Sequence, residues 1–196
     1  MNTTEFPAID PRPLTGTEQI TSTDNTLADY WRWAHSNLID NAERGALAEY
    51  IVHVAVGATE PCRVNWDKCD VKSPEGITIE VKASGYIQSW PQERLSAISF
   101  SIRPTYGWDS ETNTYASDCA RQSDVYVFCL LNHKEQATIN PLDTAQWSFF
   151  VLSTSILNAK AGKQKTIALS GVIKLGAKET DFAGLRNAIL AAAIVQ

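Results

Sequence analysis

The chain reads Cys69-Asp70-Val71-Lys72-Ser73-Pro74-Glu75-Gly76-Ile77-Thr78-Ile79-Glu80-Val81-Lys82 through its most chemically suggestive stretch. Pro74-Glu75-Gly76 fits a three-residue hairpin loop, with proline at the first turn position and glycine at the left-handed one. That loop pairs Ser73 with Ile77, and counting outward sets Asp70 opposite Glu80. Alternation places Thr78, Glu80, Lys82 and Ser84 on one face and turns Ile77, Ile79, Val81 and Ala83 toward a core. Two carboxylates then meet across neighbouring strands, about 5 Å apart at their β-carbons, which destabilises the pair unless something sits between them. A divalent cation is the simplest occupant, and oxygen donors suit Mg2+ or Mn2+. Lys82, one strand repeat along the same face, could hold an attacking water or neutralise charge on a phosphoryl group. The alternative is a solvated surface hairpin, since an Asp…Glu-x-Lys spacing alone is common. A bulge would move Asp70 by one residue, and Asp67 would then be the competing carboxylate.

A second candidate lies upstream, in Ala46-Leu47-Ala48-Glu49-Tyr50-Ile51-Val52-His53-Val54-Ala55-Val56. This segment is apolar almost all round, which predicts burial. Its polar interior positions, Glu49 and His53, are spaced i to i+4 and share one stripe. A carboxylate on a buried helix must face a charge, a metal or a wet cavity. Glu49 is therefore expected to point into the cavity of Asp70 and Glu80, where it would bind a second metal or an outer water. A partly exposed Glu–His pair at the helix edge is the alternative. Glu43 near the helix start is favoured there by the macrodipole and reads as structural.

The elements that must position these residues follow from punctuation and period. Residues 1–25 are rich in Thr, Pro and Asp without a sustained period and are expected to form a flexible arm ahead of one domain over 26–196. Asp24 or Asn25 is expected to cap a helix over 26–38, and a second helix should run over 42–56, ended by Gly57. Strands are expected at 68–72, 77–84, 97–103, 124–131 and 147–152, with loops at 108–117 and 158–165 and a closing helix over 182–195. The order predicts an α/β domain, a mixed central sheet flanked by helices.

The bulk properties narrow the function. A net charge of −5 and a pI near 5.2 argue against a protein that simply coats nucleic acid, but not against a nuclease whose carboxylates await cations. Cys62, Cys69, Cys119 and Cys129 contain no C-x-x-C, and His35, His53 and His133 fall at no ligand spacing. Zinc is not expected, and the cysteines read as reduced thiols packed as small hydrophobes in a cytoplasmic protein. No run approaches a membrane span, and the N-terminus lacks the basic start and apolar run of a secretory signal. The six tryptophans (Trp31, Trp33, Trp66, Trp90, Trp108 and Trp147) read mostly as core or interface residues. Arg94, Arg103, Arg121, Lys160, Lys163 and Lys165 read as solvated side chains before phosphate contacts, and Asp124 as a strand-initiating residue.

Taken together, these motifs resemble the PD-(D/E)XK, restriction-endonuclease-like nuclease superfamily. The matching residues are Glu49 in Arg44-Gly45-Ala46-Leu47-Ala48-Glu49, then Asp70, then Glu80-Val81-Lys82. The stretches Ala83-Ser84-Gly85-Tyr86-Ile87-Gln88-Ser89-Trp90 and Arg121-Gln122-Ser123-Asp124-Val125-Tyr126-Val127-Phe128 also resemble bacterial members. The resemblance spans 26–196 in element order, with its diagnostic motifs within 44–90. It implies a restriction-endonuclease-like fold and metal-dependent hydrolysis of phosphodiesters, with DNA favoured as substrate. Carried over, Asp70, Glu80, Glu49 and the Val81 carbonyl would ligate Mg2+ or Mn2+. Lys82 would position or activate the nucleophile, and Gln88 would lie near the site. Cys69 stands where the superfamily's name has proline. Many such enzymes dimerise to cut both strands, so a homodimer is compatible with the resemblance.

Two rivals differ in class. One is a restriction-endonuclease-like module that has lost catalysis and only binds nucleic acid or protein; the intact Asp70–Glu80–Lys82 set argues against it. The other is a hydrolase using paired carboxylates as acid and base, against which Lys82 beside Glu80 counts. Metal binding separates all three.

Overall fold

The computed structural model describes residues 9, 11–64, 68–109 and 114–194. Trp66 and the alternative carboxylate Asp67 lie outside the described residues. The chain divides into two compact units, Met1–Ser36 with Glu60–Val64, and Asn37–Thr59 with Asn65–Gln196.

In the first unit, helix α1 (Leu27–His35) follows an isolated bridge between Gln19 and Thr26. Its cap is Thr26 rather than Asp24 or Asn25. The Asp29 carboxylate accepts from both the Thr26 N–H and its hydroxyl, at 2.8 Å each. Closing on itself in this way, the first turn needs no earlier acidic residue.

The second unit is built on a mixed five-stranded sheet. Helix α2 (Asn41–Val56) begins where Asp40 accepts the Ala42 N–H and ends at left-handed Gly57. Then come β1 (Val71–Lys72), β2 (Thr78–Gly85), β3 (Ser99–Ser101), β4 (Thr105–Asp109), β5 (Thr114–Ala120), β6 (Val125–Leu131) and β7 (Trp147–Ser153). The chain finishes with α3 (Thr154–Ala161), β8 (Thr166–Ala168), α4 (Leu169–Lys174), β9 (Lys178–Thr180) and α5 (Phe182–Ala193). The central order is β1-β2-β6-β7-β9, with β2 and β6 parallel and the other pairs antiparallel.

Apolar residues on both faces force β6 to the middle. Val125, Val127, Cys129 and Leu131 pack with Ile79, Val81 and Phe149 beneath α2 and α5. Tyr126, Phe128 and Leu130 pack with Phe100, Ile102, Leu157, Ile167 and Val172 on the other face, which α3, α4 and the β3–β8 pair cover. Each such large side chain contributes about 1.5–3 kcal/mol on burial. Arg121, expected to be solvated, is instead buried: its Nε donates to the Ile102 carbonyl at 2.8 Å and its Nη1 to Asn158 Oδ1 at 2.7 Å. Arg186 of α5 donates to the Val56 carbonyl and pairs with Glu75, tying the closing helix to α2 and to the hairpin turn.

Several expectations are corrected. The stretch 108–117 is not a loop throughout, because β4 and β5 pair antiparallel across it. Every residue of β5 is exposed, so the ribbon has no buried face to write a period-2 pattern. The stretch 158–165 begins inside α3, a short helix whose buried residues are Thr154 and Leu157. One apolar anchor gives no helical period. Helix α2 is not buried all round, since Tyr50 and Val54 face solvent. Of the described tryptophans, Trp147 is buried, whereas Trp33 is 84% exposed and Trp90 49%. Cys119 is exposed rather than packed, while Cys129 is fully buried, and among the described residues no disulfide links the cysteines. No helix of the described residues is long and apolar enough to cross a membrane.

Candidate active site

The hairpin turn closes as its residue types dictate. Ser73 N–H donates to the Ile77 carbonyl at 2.9 Å, and Gly76 takes a φ of 86°, the left-handed region that glycine tolerates best. The ladder pairs Lys72 with Thr78 and Val71 with Ile79, the register expected from the loop length. The paired register ends at Val71, and beyond it one backbone bond and one side-chain bond from Asp70 continue the contact. Asp70 donates its N–H to the Ile79 carbonyl at 3.1 Å, and its Oδ2 accepts the Val81 N–H at 2.7 Å. In a strand, the N–H and C=O of one residue point to the same side. The Val81 carbonyl therefore points to the same open edge as the Asp70 carboxylate.

On one face of β2, Glu80 and Lys82 are adjacent. Lys82 Nζ lies 2.5 Å from Glu80 Oε1, and both side chains are largely covered. Glu80 Oε2 also accepts a long 3.4 Å bond from Ser123 Oγ. Parallel pairing sets Glu80 beside Tyr126 and Lys82 beside Phe128. Burial first, and Glu80 second, raise the Tyr126 hydroxyl well above its ordinary range, so it stays a neutral phenol. One row further along, Asp124 clamps the start of β2, its Oδ2 accepting the Thr78 N–H at 2.9 Å and the Thr78 hydroxyl at 2.8 Å.

The electrostatics are those of crowded carboxylates. Burial, and after it the charge of Glu80, push the Asp70 carboxyl up to about 7, against the opposing pull of Lys82 and the Val81 N–H. Burial pulls the Lys82 ammonium down, but Glu80, Asp70 and Glu49 outweigh it and hold it above its usual value. Lys82 is thus a cation at neutral pH, suited to charge neutralisation rather than to taking a proton.

Glu49 is half-buried on α2 and within electrostatic reach of both Asp70 and Lys82. His53, one turn on, stacks on Tyr50 with ring centroids 6.2 Å apart. Gln88 lies in a buried knot past the end of β2. Its amide nitrogen donates to the Gly85 carbonyl at 2.8 Å and to Ser96 Oγ at 3.2 Å, and its oxygen accepts from Arg44 Nη1 at 3.4 Å. Arg44 is 3% exposed, donates also to the Ile39 carbonyl and to Asn41, and leaves its Nε without a partner. Arg44 and Gln88 together fasten the start of α2 to the loop that leaves β2.

A divalent ion fits this edge in its donor chemistry. Asp70, Glu80 and the Val81 carbonyl are all oxygen donors, and burial, with the Glu80 charge after it, raises the Asp70 carboxyl, a penalty that a cation would relieve. Among the described residues no three His, Cys, Asp or Glu side chains converge into a ready-made cage. Mg2+ commonly uses one or two carboxylates and completes its shell with waters and substrate phosphates. Sequence reasoning did not single out Ser123, Tyr126 or Arg44. The first two reach Glu80 only through the parallel β2–β6 register, which no local pattern encodes.

The family model described as Bacteriophage T4 endonuclease IV matches residues 14–171, a span that includes α2, the hairpin, β6 and β7. Among curated proteins none matches the sequence.

Proposed function

The chain belongs to the Bacteriophage T4 endonuclease IV family, and from that premise we propose that it is a metal-dependent DNA endonuclease whose active site is the Asp70–Glu80–Lys82 edge. The observation that carries this reading is the hairpin register, which brings the Asp70 carboxylate onto the Val81 N–H beside the Glu80–Lys82 pair. We further propose that the fold is restriction-endonuclease-like. Support comes from the element order: a helix bearing Glu49, a hairpin bearing Asp70 and Glu80-Val81-Lys82, and a parallel neighbour to the second hairpin strand.

In this proposal Asp70, Glu80 and the Val81 carbonyl hold one Mg2+ or Mn2+, and Glu49 acts from outside through water. When bound, the ion supplies Lewis-acid polarisation of a phosphoryl oxygen and lowers the pKa of water. The chain's own residues do the rest. Asp70 is oriented by the Val81 N–H, so its second oxygen is directed without reorganisation. The Lys82 ammonium neutralises charge that develops on the phosphoryl oxygens, where covered surroundings strengthen the interaction. Ser123 and Lys82 between them fix both oxygens of Glu80. Arg44 and Gln88 support the site from a distance, by holding the start of α2 and the β2 exit loop together.

The test is cleavage of circular and linear DNA with Mg2+, with Mn2+ and with EDTA, for the wild type, Glu80→Ala and Lys82→Ala. Metal-dependent cutting, abolished in both variants, is expected. Cutting that persists in both variants would remove the site from this edge. Absence of cutting together with retained DNA binding would favour a non-catalytic binding module.

A further inference from the structure

The face of the hairpin that carries Glu80 holds a second lysine that the proposed chemistry does not use. Register and alternation place Lys72, Thr78, Glu80 and Lys82 on this face, because Lys72 pairs with Thr78 while the flanking Val71 and Ser73 are buried. Lys72 is exposed on β1, the edge strand of the sheet. It is two residues along the chain from Asp70, a span of at most about 7 Å. Lys82 is committed to Glu80 at 2.5 Å, and Asp124 is committed to Thr78. Among the described residues Lys72 makes no ion pair.

A polyanion approaching this edge meets Asp70 and Glu80, with Glu49 in electrostatic reach, on a chain of net charge −5. A single divalent ion and Lys82 answer the charge at the reacting phosphate alone. Neighbouring phosphates of the same strand need a separate cation at their own position. We propose that Lys72 binds a backbone phosphate flanking the scissile one and so sets the register of the nucleic-acid strand along β1. This rests on the nuclease reading and adds a substrate-contacting residue to it. The contact is to the backbone, so it carries no sequence preference.

The experiment measures the affinity of a short fluorescein-labelled duplex by anisotropy, in EDTA to prevent cutting, across a salt series. Four proteins are compared: wild type, Lys72→Ala, Lys72→Arg and Lys178→Ala. Lys178 is an exposed lysine on β9, at the opposite edge of the same sheet, four strand spacings or about 19 Å away. Removing it changes the net charge equally. The expected result is that Lys72→Ala weakens binding about fivefold and lowers the slope of log affinity against log salt by about 0.9. Lys72→Arg and Lys178→Ala should keep the wild-type slope. Equal losses in Lys72→Ala and Lys178→Ala would reduce the effect to overall charge and overturn the assignment. An unchanged slope in Lys72→Ala would overturn it as well, while leaving the nuclease reading intact. A wild type that binds no nucleic acid, either in EDTA or with Ca2+ added, would remove the nuclease reading, and this contact with it.

Discussion

Strands β2 and β6 run side by side in parallel over seven paired positions, yet they serve opposite ends. All seven residues of β6 are buried. In β2 the inward Ile79 and Val81 are buried, but Thr78, Glu80, Lys82 and Ser84 are only partly covered. The backbone is shared and the difference is position. β6 is flanked on both sides and covered on both faces, so every side chain there can be apolar. β2 is next to the edge, where β1 pairs through only two residues. Beyond those, a carboxylate replaces backbone as the partner of Val81. One strand supplies burial; its neighbour spends part of that burial on charges kept close together.

That contrast can be broken by substitution. The largest expected effect is on catalysis. Glu80→Ala should lower the rate of cutting by a thousandfold or more, roughly 4 kcal/mol in the barrier, with little change in Tm. Steady-state cleavage and a thermal melt on the same sample check both halves. Phe128→Ala in β6 should do the reverse. Its fully buried ring packs against Phe100 at 5.1 Å, and its loss should cost about 3–5 kcal/mol and about 10 °C in Tm. Rates measured well below that Tm should stay near wild type. A Phe128→Ala variant that cuts slowly while fully folded would show that the two strands are not functionally separate.

Asp70 sharpens the comparison through pH. Its ordinary value is 3.8 and its folded value about 7, so the folded state holds a proton that the unfolded chain has released between these limits. Stability of the metal-free protein should therefore fall as pH rises from about 4 to about 7 and level off above. Asp70→Asn should lose this dependence and melt higher than wild type at pH near 8, by on the order of 2 kcal/mol or about 4–8 °C, allowing for its partial exposure. A flat pH profile for the wild type would mean that Asp70 is not crowded. Ser123→Ala should have the smallest effect. Its 3.4 Å bond to Glu80 is long, and its loss should slow cutting by no more than about fivefold.

Legibility followed locality. The hairpin could be read because Pro74-Glu75-Gly76 and the alternation beyond it lie within a few residues, and the register at Lys72–Thr78 is the one counted from the loop. Helix α2 was marked by its apolar run and by Gly57. Its exposed side was not, since Tyr50 and Val54 look the same to a hydropathy pattern whether they face core or water. The β4–β5 ribbon has no buried face, and α3 has too few buried residues to show a period. At the candidate site, Asp70, Glu80 and Lys82 were visible as residue types. The bond from Val81 to the Asp70 side chain, the reach of Ser123 to Glu80 and the buried Arg44–Gln88 knot were not. Each depends on a long-range pairing or a side-chain direction that residue spacing does not specify.

The central claim is that the carboxylates at the β1–β2 edge form a metal site. Calorimetric titration of Mn2+ into the wild type, Asp70→Asn and Glu80→Gln, near pH 8 and without nucleic acid, tests it most directly. The expected result is saturable binding to the wild type that is lost or weakened at least tenfold in both variants. Equal binding by all three proteins, or no binding to the wild type with or without added DNA, would contradict it.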